Sequence, residues 1–172
     1  MNVLPLALLV AGILYLDEYR EGLIESELAA LETQAEIFAG ALGEGAIGTR
    51  PDGTQFLLPG VARPMLRRLT APTRTRARVF AVDGIAIADS RFLSGQGGAV
   101  QGRDLPVASK ALDGTTGTAR WSIPGGGIRL GAAAPIQRFK QVLGAVLLTS
   151  TAEEIEAAVR AVRFDILKVF AG

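Results

Sequence analysis

Six arginines, Arg63, Arg67, Arg68, Arg74, Arg76 and Arg78, stand within sixteen residues that contain no carboxylate. Such a run concentrates positive potential, and two readings are open to it. It is a docking surface for an acidic protein or anionic head groups, or it is a solvated face. Nucleic acid fits poorly, because no aromatic side chain interleaves with these arginines until Phe80. A second group, Arg120, Ser122 and Arg129, is placed by strand pairing on one sheet face, with Arg91 and Asp104 supplied by a glycine-rich connection. Guanidinium and hydroxyl groups converging there would bind a small anion; an exposed polar face is the alternative.

Covalent chemistry has little to work with. The 172 residues include no His and no Cys, which removes the imidazole base, the thiolate nucleophile and the usual zinc ligands. Ser90 and Ser122 therefore have no visible activating base. The glycine clusters Gly95-Gln96-Gly97-Gly98 and Gly125-Gly126-Gly127 do not join a strand to a helix with a following Lys-Ser/Thr, so they read as turns rather than phosphate cradles. Asp52, Asp83, Asp104 and Asp113 are too scattered for a calcium loop, and most stand at turn signals. No catalytic residue, metal ligand or cofactor is assigned, and no enzyme is expected within these residues.

The elements that must position the arginines begin with an apolar segment. Val3 to Leu16 carries no charge and ends at Asp17-Glu18, which is short of the roughly 20 residues needed to cross a bilayer. Residues 1–16 are expected to be a truncated transmembrane helix; a buried core helix is one alternative, and a signal peptide, the other, would want a basic start and a small-residue cleavage site. Charge adds no global field, since 18 Lys and Arg balance 17 Asp and Glu, while 49% apolar residues and a mean hydropathy of +0.32 favour a membrane-associated chain.

Residues 17–42 lack Pro and read as one long helix, with Gly40 and Gly43 expected at its exit. Ile24, Leu28, Leu31, Ala35, Phe38 and Leu42 form one stripe. Leu16, Tyr19, Leu23, Ala30 and Ile37 form a neighbouring one, open to a parallel homodimer. A loop at 43–59 with the turn Pro51-Asp52-Gly53 leads to a short basic helix at 63–69.

The period then changes to two. Strands are expected at 75–82 and 85–90, joined by a type I′ turn at Asp83-Gly84, which sets Phe80 opposite Ile87 and Arg78 opposite Asp89. Asp89 is read as an ion-pair partner rather than a ligand. A helix at 105–112 precedes strands at 118–123, 128–136 and 142–148. Pairing Ile123 with Ile128 places Trp121 beside Leu130 and Ser122 beside Arg129. Ser150-Thr151, with Glu153 and Glu154, reads as a capping box opening an exit helix, and 164–170 as the start of a second membrane segment.

This order resembles the PAS-like extracytoplasmic sensors, also called PDC or Cache domains. Two segments, Leu14-Tyr15-Leu16-Asp17-Glu18-Tyr19-Arg20-Glu21-Gly22-Leu23-Ile24 and Pro135-Ile136-Gln137-Arg138-Phe139-Lys140-Gln141-Val142-Leu143-Gly144, look like ChvG-type sensor histidine kinases. The resemblance implies an α+β fold with a five-stranded antiparallel sheet over 43–150, a long N-terminal helix, and an exit helix at 151–172. It also implies a homodimer in the bacterial inner membrane with this domain in the periplasm, and a periplasmic inhibitor protein as partner. An ATP-dependent kinase module would follow the second membrane helix. A small-molecule receptor of the same fold and a non-enzymatic envelope protein are the alternatives.

The family's acid response would require carboxyl groups here, since His is absent. Glu153, Glu154 and Glu156 are the tight acidic cluster. Repulsion raises their pKa values while a helix N-terminus lowers them, so the domain itself is expected to be insensitive near pH 5 to 6.

Overall fold

A single helix, α1 (Leu4–Gly45), carries the chain from the apolar segment into the core. In the computed structural model, which describes residues 4–73, 75–91, 105–123 and 127–151, it is followed by β1 (Ile47–Thr49), β2 (Gln55–Leu57) and α2 (Pro59–Thr70). Then come β3 (Arg76–Ala81), β4 (Ala86–Asp89), α3 (Pro106–Leu112), β5 (Gly117–Ile123), β6 (Gly127–Arg138) and β7 (Gln141–Thr151). With 42 residues α1 extends about 63 Å. Among the described residues no helix is long and apolar enough to cross a membrane.

Helix α1 buries the first of its two stripes. Ile24, Leu31, Ala35, Phe38 and Leu42 are almost fully covered, with Leu28 partly buried beside them. Tyr19 and Ile37 of the second stripe stay exposed. The helix runs three residues past Leu42 because Gly43 continues it instead of ending it. A side chain there would meet the Gln137 carbonyl oxygen at 2.8 Å, so glycine lets helix and sheet approach closely.

The main sheet has the order β4-β3-β7-β6-β5, all antiparallel, and β7 at its centre is apolar on both faces as a covered strand must be. One face packs on α1 and α2 through Ala77, Val79, Leu130, Ala132, Ala134, Ile136, Val146 and Leu148. On the other, α3 covers Phe80, Ala133, Ala145 and Leu147. Helix α2 starts earlier than expected, at Pro59. Proline suits the first turn, where an N–H would lack an intrahelical partner. The 43–59 loop contains the small β1–β2 ribbon, its turn closed by Thr54 N–H donating to Asp52 Oδ1 (2.9 Å).

Two hairpins correct the expected register. In β3–β4, Gly84 N–H donates to the Ala81 carbonyl and Ala81 N–H to the Ile85 carbonyl, and Gly84 alone takes positive φ (+87°). That is a three-residue turn ending in a left-handed glycine, not a type I′ turn. A bulge then skips Ile87, so Phe80 faces Ala86, while Arg78 still faces Asp89. In β5–β6, Ile123 pairs with Gly127 rather than Ile128. The slip of one residue puts Trp121 opposite Arg129, and Ser122 opposite Ile128.

A type I′ geometry does occur, at the β6–β7 turn. Phe139 (φ 49°) and Lys140 (φ 64°) both sit in the left-handed region that glycine and asparagine favour. At the other end of β7, Ser150 and Thr151 are still strand residues, paired with Leu130 and Arg129. Glu153, Glu154 and Glu156, with the rest of 152–172, lie outside the described residues.

Candidate functional site

The arginine run is divided by the sheet. Helix α2 packs through Ala62 and Leu66 into the same core as α1, so its arginines lie on that side. Strand β3 alternates, with Ala77 and Val79 entering that core and Arg76 and Arg78 pointing the opposite way. Arg74 lies outside the described residues.

The α2 arginines differ in their contacts. Arg63 Nε–H donates to the Ile87 carbonyl at the β4 bulge (2.9 Å), which ties α2 to the hairpin. Arg67 and Arg68 occupy the last turn and, with Pro64 and Ala71, line an open depression of about 350 Å³. Cations suit a helix C-terminus, whose free carbonyls carry partial negative charge. The surface is exposed, basic and shallow.

Arg76 and Arg78 belong to a different arrangement. Arg76 holds Asp89 with two hydrogen bonds, Nη2 to Oδ2 at 2.6 Å and Nε to Oδ1 at 3.2 Å, and Asp89 also accepts from the Arg91 backbone N–H (3.0 Å). Arg78, although it faces Asp89 in register, lies over the Phe80 ring at 5.9 Å. Its Nε is buried without a hydrogen-bond partner among the described residues. Burial, reinforced by repulsion from Arg76 and Arg129 and opposed by Asp89, pulls the Arg78 guanidinium below the ordinary arginine range.

The second expected group does not share a face. Arg120 lies opposite Leu130 on the α1 side and forms an ion pair with Glu21 of α1 (2.5 Å). That hydrogen bond pulls Glu21 below the usual carboxylate range and raises Arg120. Ser122, opposite Ile128, is exposed on the same side. Arg129 points to the other face with Trp121, whose ring covers Gly131; a Cβ on Gly131 would meet the ring at 2.5 Å. Arg91 is exposed at the hairpin end, and Asp104 lies outside the described residues.

Arg129 therefore joins Arg76 and Arg78, while Arg120 and Ser122 do not. Thr149 stands between them on β7, opposite Arg76 on one side and Gly131 on the other. The period-two pattern Arg76-Ala77-Arg78-Val79 was the signal that separated these arginines from α2. Thr149 had no signal until the register was known.

The comparisons with known proteins agree with this architecture. Residues 57–123 match the family model of the stimulus-sensing domain, and residues 1–47 that of the sensor N-terminal transmembrane domain. Sensor protein ChvG of Rhizobium meliloti (strain 1021) is 31% identical over 98% of this chain and 41% of its own length. Sensor protein ChvG of Agrobacterium fabrum (strain C58) is 30% identical over 98% of this chain and 39% of its own. This chain is the sensing region of a ChvG-type sensor protein. It spans about two fifths of the length of these relatives. The fold is that of the Cache or PDC sensors: the ligand-binding domain of the Pseudomonas aeruginosa amino acid chemoreceptor PctC, in complex with GABA, superposes with a TM-score of 0.55. It covers 92% of this chain and 66% of its own at 17% identity, a likeness of fold alone. The ChvG-type region is anchored in the inner membrane with its sensing domain in the periplasm.

Proposed function

We propose that this ChvG-type region is the input domain of an ATP-dependent protein histidine kinase, with residues 1–16 in the first membrane helix and 152–172 leading from the end of β7 toward the second. A periplasmic regulatory protein docks its acidic surface against Arg67 and Arg68 at the depression beside Pro64 and Ala71. The observation that carries this reading is the continuity of α1, which runs from the apolar segment into the core and packs there on β6 and β7. A load on the sheet or on α2 is thereby communicated to the membrane helix, and β7 is the strand that leads to the exit. The second stripe of α1, with Tyr19 and Ile37 exposed, pairs with its counterpart in a parallel homodimer. Nucleic acid has no part in this scheme.

The test uses the full-length protein in proteoliposomes. Arg67→Glu with Arg68→Glu is expected to abolish a salt-sensitive complex with the regulatory protein and to free autophosphorylation from its control, with thermal stability nearly unchanged. Arg63 is left intact because it ties α2 to β4. Binding that persists at low salt in the double variant overturns the docking surface. Absence of ATP-dependent autophosphorylation overturns the kinase assignment.

A further inference from the structure

The two residues of the β6–β7 turn are poorly suited to their backbone. Phe139 and Lys140 both take left-handed φ, 49° and 64°, whereas the other positive-φ positions among the described residues are the glycines Gly53, Gly84 and Gly114. Asparagine and glycine would form the same turn without a β-carbon in conflict with the main chain. Packing of the side chain often offsets such strain, yet the Phe139 ring is 83% exposed, with the Arg138 guanidinium 5.5 Å from its centroid. A strained, solvent-facing aromatic residue that the core does not use points to a contact outside the domain.

The fold places further apolar surface beside it. Ala81, Gly144 and Ile136 stand in line across β3, β7 and β6, so the β3–β4 and β6–β7 turns leave the same end of the sheet, about 10 Å apart. Val82 and Ile85 of the first turn are each 54% exposed. Between them Asp83 is held within its own turn, accepting from the Ile85 N–H (2.9 Å). This end of the sheet is also where α1 finishes, since Gly43 lies against the Gln137 carbonyl. The stretch of α1 from Leu16 to Gly43 is about 40 Å long, which puts the patch out of reach of the bilayer that holds the start of the helix. A second copy paired in parallel along α1 points its own patch the same way rather than against this one. A periplasmic protein is the occupant that remains.

We propose that Phe139, with Val82 and Ile85 beside it, is the apolar anchor by which the periplasmic regulatory protein holds this domain, an inference that rests on the docking at Arg67 and Arg68 proposed above. Arg138 and Lys140 flank the ring in the chain, so the surface that fits it is an apolar socket with carboxylates on its rim. That is the chemistry Arg67 and Arg68 also call for. One footprint reaches both places. Helix α2 starts beside the end of α1, where the Leu58 N–H donates to the Ala46 carbonyl (2.8 Å), and Arg67 lies about 12 Å further along it. An interface of ordinary size covers about 800 Å² per partner and is roughly 30 Å across. The two parts act on different steps: exposed arginines steer the encounter, and a desolvated aromatic anchor slows release.

Binding kinetics of the purified regulatory protein on the full-length protein in proteoliposomes, followed over a series of salt concentrations, test the proposal. Phe139→Ala removes the ring and keeps the backbone, and it is expected to raise the dissociation rate at least tenfold while leaving association and its salt dependence as they are. Phe139→Trp should restore most of the lifetime. Arg67→Gln should do the reverse, slowing association and flattening its salt dependence. An unchanged dissociation rate in Phe139→Ala overturns the anchor and leaves the docking at Arg67 and Arg68 standing. No salt-sensitive complex with the wild-type protein overturns that docking, and the anchor with it. Without the regulatory protein, Phe139→Ala should melt at the wild-type temperature; a clearly lower value shows that the ring serves the fold and overturns the proposal. A wild-type dimer that dissociates on Phe139→Ala assigns the patch to a second copy and also overturns it.

Discussion

The two faces of the main sheet use the same strands for different ends. Toward α1 and α2 the side chains are aliphatic and small, as in Ala77, Val79, Ala132, Ala134, Val146 and Leu148, and helices cover them over most of their length. Toward α3 only half the face is like this: Phe80, Ala133, Ala145 and Leu147 lie under the short helix. Beyond them come Arg76, Arg78, Asp89, Thr149 and Arg129. One face makes the fold, and among the described residues half of the other carries polar and charged side chains. The alternation of the strands is what allows a domain this small to do both.

That contrast predicts unequal costs. Leu148→Ala, on the α1 face, should lose about 2–5 kcal/mol in chemical denaturation, as deletions of fully buried leucines do. Arg129→Ala, on the other face and exposed, should stay within about 0.5 kcal/mol. Comparable losses at the two positions would remove the distinction between the faces.

Gly131→Ala sharpens the boundary between them, because the new methyl group collides with the Trp121 ring. A loss of about 1–3 kcal/mol is expected, together with a changed emission spectrum of the single tryptophan. An unchanged spectrum would mean that the ring does not rest on this glycine.

The β6–β7 turn joins two strands that serve both faces and carries strain of its own. Replacing Phe139 by Asn and Lys140 by Gly should raise stability by about 1–2 kcal/mol, since both positions hold left-handed backbone that bulky residues resist. Phe139 is 83% exposed, so little packing is lost in exchange. A less stable double variant would show that the Phe139 ring does hold the turn.

The smallest expected effect concerns pH. Glu21 is held low by Arg120, and Asp52 by hydrogen bonds from Thr54. A carboxylate with a depressed folded-state pKa contributes stability that is present above its unfolded value, near 4, and is lost only as pH falls through the lower folded value. Neither group is therefore protonated between pH 7 and 5.5, and neither should move the melting temperature of the isolated domain in that window. Glu21→Gln should alter only the profile below about pH 4. A melting transition near pH 5 to 6 that survives Glu21→Gln would place a proton sensor elsewhere in the domain.

Much of the architecture was legible in the residues. The Ile24-to-Leu42 stripe, the hairpin-connected strand pairs and the doubly apolar central strand follow from periodicity and turn chemistry, which act over a few residues, whereas the pairing of β3 with β7 does not. The expected site was legible only in part. Placing Arg120 and Arg129 together depended on the β5–β6 register, and a glycine-rich turn leaves that register weakly specified. Phe139-Lys140 gave no turn signal because neither residue prefers left-handed backbone.

The sequence by itself determined the anchored long helix, the five strands, the absence of His and Cys chemistry and the excess of arginine. These are matters of composition and short-range period. Only the tertiary structure decided which arginines meet. It sent Arg67 and Arg68 to one side of the sheet and Arg76, Arg78 and Arg129 to the other, gave Asp89 to Arg76, and left the Arg78 Nε without an acceptor among the described residues. The physical reason is that a strand shows its residues to alternate faces, so one residue of register decides whether two charges are neighbours or are separated by the sheet.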